Sequence, residues 1–168
     1  RDVADLESRL AHQPGRLGEQ PCARGPLELR APGTEVLAEV TDAGRGVAAV
    51  ADMVGTLTGA RIHVLHVTTK DEMEYLRFHK DVATVEITPQ HLTLVAPEAY
   101  ERLGSYAQMN PPIRSQEHVD ALWLWGMQQG VADVLGSDHA PHTKEEKAKP
   151  YPASPSGMTG VQTLVPIM

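Results

Sequence analysis

Apolar positions along the chain recur with two different periods, and the periods alternate. Val47, Val50, Ala51, Val54 and Leu57 fall at three- and four-residue spacing. That predicts a helix over 44–58 with this stripe toward the core. Thr58-Gly59 stops it. The β-branched run 61–67, Arg-Ile-His-Val-Leu-His-Val, reads as a buried strand. Thr69 caps the next helix, with Glu72 completing a capping box, and the helix runs to about Lys80. A second strand covers 82–88 and ends at Pro89. An irregular stretch follows. Ser115 then opens a helix through Gln129, with Val119, Leu122 and Met127 toward the core. The apolar run 131–135 is a third buried strand. Residues 1–10 are charged and fit a short helix. Residues 11–33 carry Pro14, Gly15, Gly18, Pro21, Gly25, Pro26, Pro32 and Gly33, so 11–43 is expected to be an irregular, mobile surface segment.

Alternation of helix and strand predicts parallel strands with helices packed outside. A doubly wound sheet and part of a (β/α)8 barrel both fit. Three strands complete neither, and no internal repeat is visible. The chain begins at Arg1 and ends on an apolar run, 161–168, without a polar close. Both ends read as cuts through a larger protein. The 168 residues are expected to be a fragment of one domain.

Composition narrows the function classes. Aromatics are only 4% of residues, so the core must be Val, Leu, Ala and Met. A net charge of −7 argues against a nucleic-acid partner, which would need clustered Lys and Arg. No apolar run approaches the roughly 20 residues of a membrane helix, so no membrane partner is expected. The single cysteine, Cys22, excludes an internal disulfide and fits a reducing, cytoplasmic setting.

Candidate chemistry gathers at predicted strand ends. After 131–135 the chain reads Gly136-Ser137-Asp138-His139-Ala140-Pro141-His142, an acid and two imidazoles within five residues. His66 ends the 61–67 run. In a parallel sheet the carboxyl ends of strands share one rim, where ligands bind. His63 and His66 are three apart and face opposite sides of a strand, and His66 is the better candidate because it is nearer the end. Imidazole nitrogen and carboxylate oxygen are both zinc-type donors. The bland reading of Asp138 is a turn carboxylate satisfied by backbone N–H groups. His142 either contacts substrate or caps the turn. Asn110, before Pro111-Pro112, offers a donor and an acceptor suited to a cyclic amide edge, or a purely local loop contact. His91, at another strand end, reads as a core residue or as one that supports the rim from behind, and Trp123 and Trp125 read as packing residues.

The stretch Gly-Ser-Asp-His-Ala-Pro-His-Thr-Lys-Glu-Glu-Lys over 136–147 resembles the second signature of the dihydroorotases, in the cyclic amidohydrolase superfamily. Four other stretches resemble that family in order and spacing. They are Thr-Gly-Ala-Arg-Ile-His-Val-Leu-His-Val-Thr-Thr (58–69), Val-Glu-Ile-Thr-Pro-Gln-His-Leu (85–92), Met-Asn-Pro-Pro-Ile-Arg (109–114) and Ser-Pro-Ser-Gly-Met-Thr-Gly (154–160). The resemblance covers residue 58 to the end. It implies part of a (β/α)8 TIM-type barrel of the metal-dependent amidohydrolase kind, with one or two zinc ions. It implies that His66 and Asp138 bind metal and that Asp138 is the general base. It implies that His142 and Asn110 hold the substrate's carboxylate and ring amide, and that backbone near Ser156 and Gly157 meets the pyrimidine. The implied reaction is reversible hydrolysis of dihydroorotate to N-carbamoyl-aspartate, a step of pyrimidine synthesis.

Four features depart from the family pattern. Its first metal motif, His-x-His, and its acidic or carboxylated-lysine ligand are absent from this chain. Val3 stands where a histidine would be expected before an acidic pair. Ser156 stands where many dihydroorotases have an aromatic. Two other readings therefore stay open. One is a hydantoinase, dihydropyrimidinase or allantoinase. The other is a non-catalytic scaffold, as some homologues are beside aspartate transcarbamoylase. Association with copies of itself is equally open.

Overall fold

A computed structural model describes residues 36–39 and 53–167. Val3, Cys22, the expected helix at 1–10, the loop at 11–33 and the helical positions Val47, Val50 and Ala51 lie outside the described residues.

Four strands form one parallel sheet in chain order: β1 (Val36–Glu39), β2 (Ile62–Leu65), β3 (Ala83–Ile87) and β4 (Val134–Leu135). In register, Val36 is opposite Ile62, Ile62 opposite Ala83, and Glu86 opposite Val134. Strand β1 falls inside the stretch 11–43 expected to be irregular. Its sequence, Val-Leu-Ala-Glu, is too short to announce itself beside the preceding Pro/Gly run; pairing along β2 makes it a strand.

Residues alternate across the sheet. Ile62, Val64, Ala83, Val85 and Ile87 are buried on one face. They join a core with Met73 and Leu76 of α1 (Lys70–Leu76) and with Ala121, Leu122, Leu124 and Trp125. Burying each large side chain contributes about 1.5–3 kcal/mol. His63, Leu65, Thr84 and Glu86 line the opposite, half-buried face.

The region between β3 and the 115–129 helix is more ordered than expected. Pro89 opens α2 (Pro89–Thr93), and α3 (Glu98–Leu103) and a 3-10 turn (Gly104–Ala107) follow. Pro89 ends β3 and starts α2 together, because a first-turn proline lacks only an N–H that has no helical partner there. The helix capped at Ser115 is α4 (Gln116–Ala121), continued by a π-helix (Leu122–Gln128). Its widened turn closes with Gln129 N donating to Leu124 O at 3.0 Å. Trp123 Nε1 donates to Leu92 O, and Trp125 packs under the Arg77 guanidinium. Both tryptophans are packing residues, as expected.

Three expectations need correction. Leu57 is 77% exposed, because the helical residues 53–58 turn buried Gly55 inward instead. A Cβ on Gly55 would lie 2.5 Å from Ile62 Cδ1, so any larger residue would have to displace the Ile62 side chain. Helix α1 ends at Leu76, not near Lys80, because tight turns of Tyr75-to-Phe78 and Leu76-to-His79 follow. The last strand is not buried throughout: Val134 is 43% exposed, on the last strand of the described sheet. The chain continues through α5 (Lys144–Lys147) and α6 (Leu164–Ile167). No helix among the described residues is long and apolar enough to cross a membrane.

Candidate active site

The carboxyl ends of β2, β3 and β4 form one rim. His66 follows β2 directly, Thr88 follows β3, and Asp138 comes three residues after β4. With β3 between them, the axes of β2 and β4 lie about 10 Å apart. Among the described residues, two that are not glycine have positive φ: His66 at 35° and Asp138 at 43°. His and Asp tolerate this region better than most residues, but it still costs on the order of 1 kcal/mol each. Strain of this kind collects at functional sites.

Neighbouring groups fix both turns. Glu86 O accepts from Val67 N at 2.8 Å, and Glu86 Oε1 accepts from His66 N at 3.3 Å. One residue of β3 therefore holds the backbone on either side of His66. The same carboxylate occupies the space beside Gly136, where any Cβ would overlap it. His63 shares this layer, with Nδ1 2.8 Å from Thr84 Oγ1 and Nε2 3.7 Å from Glu86 Oε2. On the Asp138 side, Gln90 Nε2 donates to Ser137 O at 2.9 Å. A Cβ on Gly160 would overlap Ser137 O, so the 154–160 loop presses on the backbone just before Asp138.

His91 is buried and fully engaged. Nε2 donates to Pro111 O at 3.0 Å, so Nδ1 accepts from the Thr88 hydroxyl at 2.7 Å. Burial pushes its pKa down to about 3, with His66 a further contributor. Its role is to tie the β3 exit to the loop after Asn110. Arg114 extends that tie, with Nε donating to Thr68 Oγ1 at 3.3 Å.

His142 and Ser156 meet: His142 Nε2 donates to Ser156 O at 3.0 Å. Gly157 has φ 135°, and a Cβ there would lie 2.8 Å from Ala140 Cβ and 3.1 Å from His142 Nε2. Gly157 N donates to Gln108 O at 3.0 Å, two residues before Asn110. The bridge between His139 and Met158, with Ala140 N donating to Met158 O at 2.9 Å, closes the set. The loop bearing Ser156 and Gly157 is thus hydrogen-bonded both to the turn bearing Asp138 and His142 and to the loop bearing Asn110. Among the described residues no group of three His, Cys, Asp or Glu side chains could hold a metal ion.

Sequence reasoning missed Glu86, which holds the backbone at His66. A glutamate between Val85 and Ile87 in an apolar strand was the available signal for Glu86. It also passed over the capping box at Thr143 and Glu146, which starts α5 and is written as Thr-x-x-Glu.

No family model matches the chain. It is 39% identical over 114 residues to a protein named dihydroorotase from Lactococcus lactis, covering 66% of this chain and 26% of that one. It is 38% identical over 144 residues to a dihydroorotase from Staphylococcus epidermidis, covering 84% of this chain and 32% of that one. The chain therefore spans about a quarter to a third of the length of these relatives. Among solved structures, L-hydantoinase (dihydropyrimidinase) from Arthrobacter aurescens superposes with a TM-score of 0.67 at 31% identity, covering 74% of this chain and 28% of that one. The chain is a homologue of part of the dihydroorotases, and its sheet is an incomplete portion of an amidohydrolase (β/α)8 barrel.

Proposed function

We propose that the protein containing this chain is a metal-dependent cyclic amidohydrolase, with dihydroorotate and N-carbamoyl-aspartate as its substrate pair. The observation that carries the reading is the pair of strained rim residues. His66 and Asp138 bear the positive φ values, and both are zinc-type donors. Relatives named dihydroorotase at 38–39% identity support the choice of reaction.

In this reading His66 and Asp138 would hold zinc, with further ligands contributed from outside the described residues. Once bound, the ion supplies Lewis acidity to the amide carbonyl and to the attacking water. Asp138 takes a proton from that water as its oxygen adds to the carbonyl carbon. It then returns the proton to the ring nitrogen as the C–N bond breaks. Asn110 holds the ring amide through its donor and acceptor. Because His142 Nε2 is given to Ser156 O, its Nδ1 is the atom left for the substrate. Nδ1 can donate to a carboxylate only when the ring is protonated. The loop at Ser156 and Gly157 closes the site from above. The single Cys22 supports a cytoplasmic setting.

The test is metal analysis together with a ring-opening assay on the complete polypeptide. We expect zinc and turnover of dihydroorotate. Absence of both would remove the enzymatic reading and leave the scaffold. The likeness to L-hydantoinase keeps a second substrate class in view. Turnover of hydantoin or dihydrouracil in preference to dihydroorotate would favour it.

A further inference from the structure

Lys147, the last residue of α5, is only 6% exposed. Its ammonium donates to Gln108 O at 2.9 Å and to Pro155 O at 3.0 Å. Its own carbonyl accepts from Ser105 Oγ at 2.5 Å, and Ser154 Oγ approaches it at 3.4 Å. Gln108 Nε2 donates to Ser154 O at 3.0 Å. No carboxylate forms an ion pair with Lys147 among the described residues. Burying an ammonium against carbonyls alone is unfavourable unless its hydrogen bonds are well made. Its two acceptors come from different loops. Gln108 is two residues before Asn110, and Pro155 is one before Ser156.

We propose that Lys147 is a positioning residue whose buried ammonium sets the gap between the Asn110 loop and the Ser156–Gly157 loop, and through it the fit of the substrate ring. The proposal rests on the function proposed above and adds a specificity-determining element to it. Burial lowers the ammonium's pKa, in keeping with a charge given only carbonyl partners. Methionine at this position keeps the stem and removes the donors. Arginine keeps the charge but offers a wider, planar fork that holds two carbonyls at a different spacing.

The experiment uses K147M and K147R in the complete polypeptide, with dihydroorotate as the probe. Losing hydrogen bonds from a charged donor predicts a KM about 10- to 100-fold higher for K147M. We expect kcat and metal content near wild type, and an intermediate KM for K147R at unchanged melting temperature. Hydrogen exchange should quicken together over 104–110 and 153–158, while β2 and β3 stay protected. A wild-type KM in the folded variants, or faster exchange in one loop only, would overturn the proposal. If K147M does not fold, K147R is read by the same two measures. A wild-type polypeptide that opens no cyclic amide would defeat the proposed function instead, and the exchange experiment would still decide whether Lys147 couples the loops.

Discussion

In the proposed reading His66 and Asp138 would hold the metal, and each occupies a backbone conformation its side chain does not favour. Three predictions belong at this scale. Asp138→Asn in the complete polypeptide should lower kcat by about 10²–10⁴-fold, the usual loss with a general base; steady-state kinetics alongside metal content checks it. His66→Gly should be about 1 kcal/mol more stable than His66→Ala, because glycine adopts positive φ without penalty. Urea unfolding of the two apo-proteins measures the difference, and equal stabilities would mean that no strain is stored at His66. His91 adds a pH signature. Its folded pKa of about 3 lies below the unfolded value near 6.5, so the neutral ring is the form that folding favours. Its contribution is present above pH 6.5 and is lost as pH falls toward 3, at up to about 1.4 kcal/mol per pH unit. His91→Gln should flatten that slope in unfolding experiments between pH 7 and pH 4. The placement of His66 and Asp138 at strand ends was legible from sequence because each follows an apolar run. Lys147 was not. A lysine after two glutamates reads as a solvated helix end, and only the fold shows two carbonyls closing over it.

At the scale of elements, local chemistry predicted starts better than ends or faces. The capping box at Thr69 and Glu72 forms as written, with Glu72 Oε2 accepting from Thr69 N at 2.9 Å. Its N-cap lies three residues after His66, so it also fixes how the chain leaves the rim. Thr69→Ala should cost about 1 kcal/mol, within the usual range for a lost N-cap, measured as a shift in urea midpoint at constant slope. The helix face at 53–58 was misread because periodicity counts large apolar residues and ignores glycine. Gly55 faces the sheet through its lack of a side chain, and Leu57 is turned out. The π-helix at Leu122–Gln128 has no sequence signal at all, since an extra residue in a turn leaves the apolar pattern nearly unchanged. The short strands β1 and β4 owe their existence to pairing, and pairing partners cannot be read from four or two residues.

The whole molecule was legible as a class. Alternating strands and helices pointed to a parallel sheet, and five motif stretches selected the barrel over a doubly wound sheet. The chain spans only a quarter to a third of its relatives' length. Leu57, Val134, Val161 and Val165 are exposed, and the described sheet has its ends at β1 and β4. Open strand edges and exposed apolar residues favour association. Residues 1–168 expressed alone should therefore elute as aggregates; a monodisperse profile with a cooperative melt would contradict that. The most direct measurement is anomalous diffraction at the zinc edge from crystals of the complete polypeptide. The account predicts a peak about 2.0–2.2 Å from a ring nitrogen of His66 and from a carboxylate oxygen of Asp138. A zinc peak that touches neither side chain would contradict it.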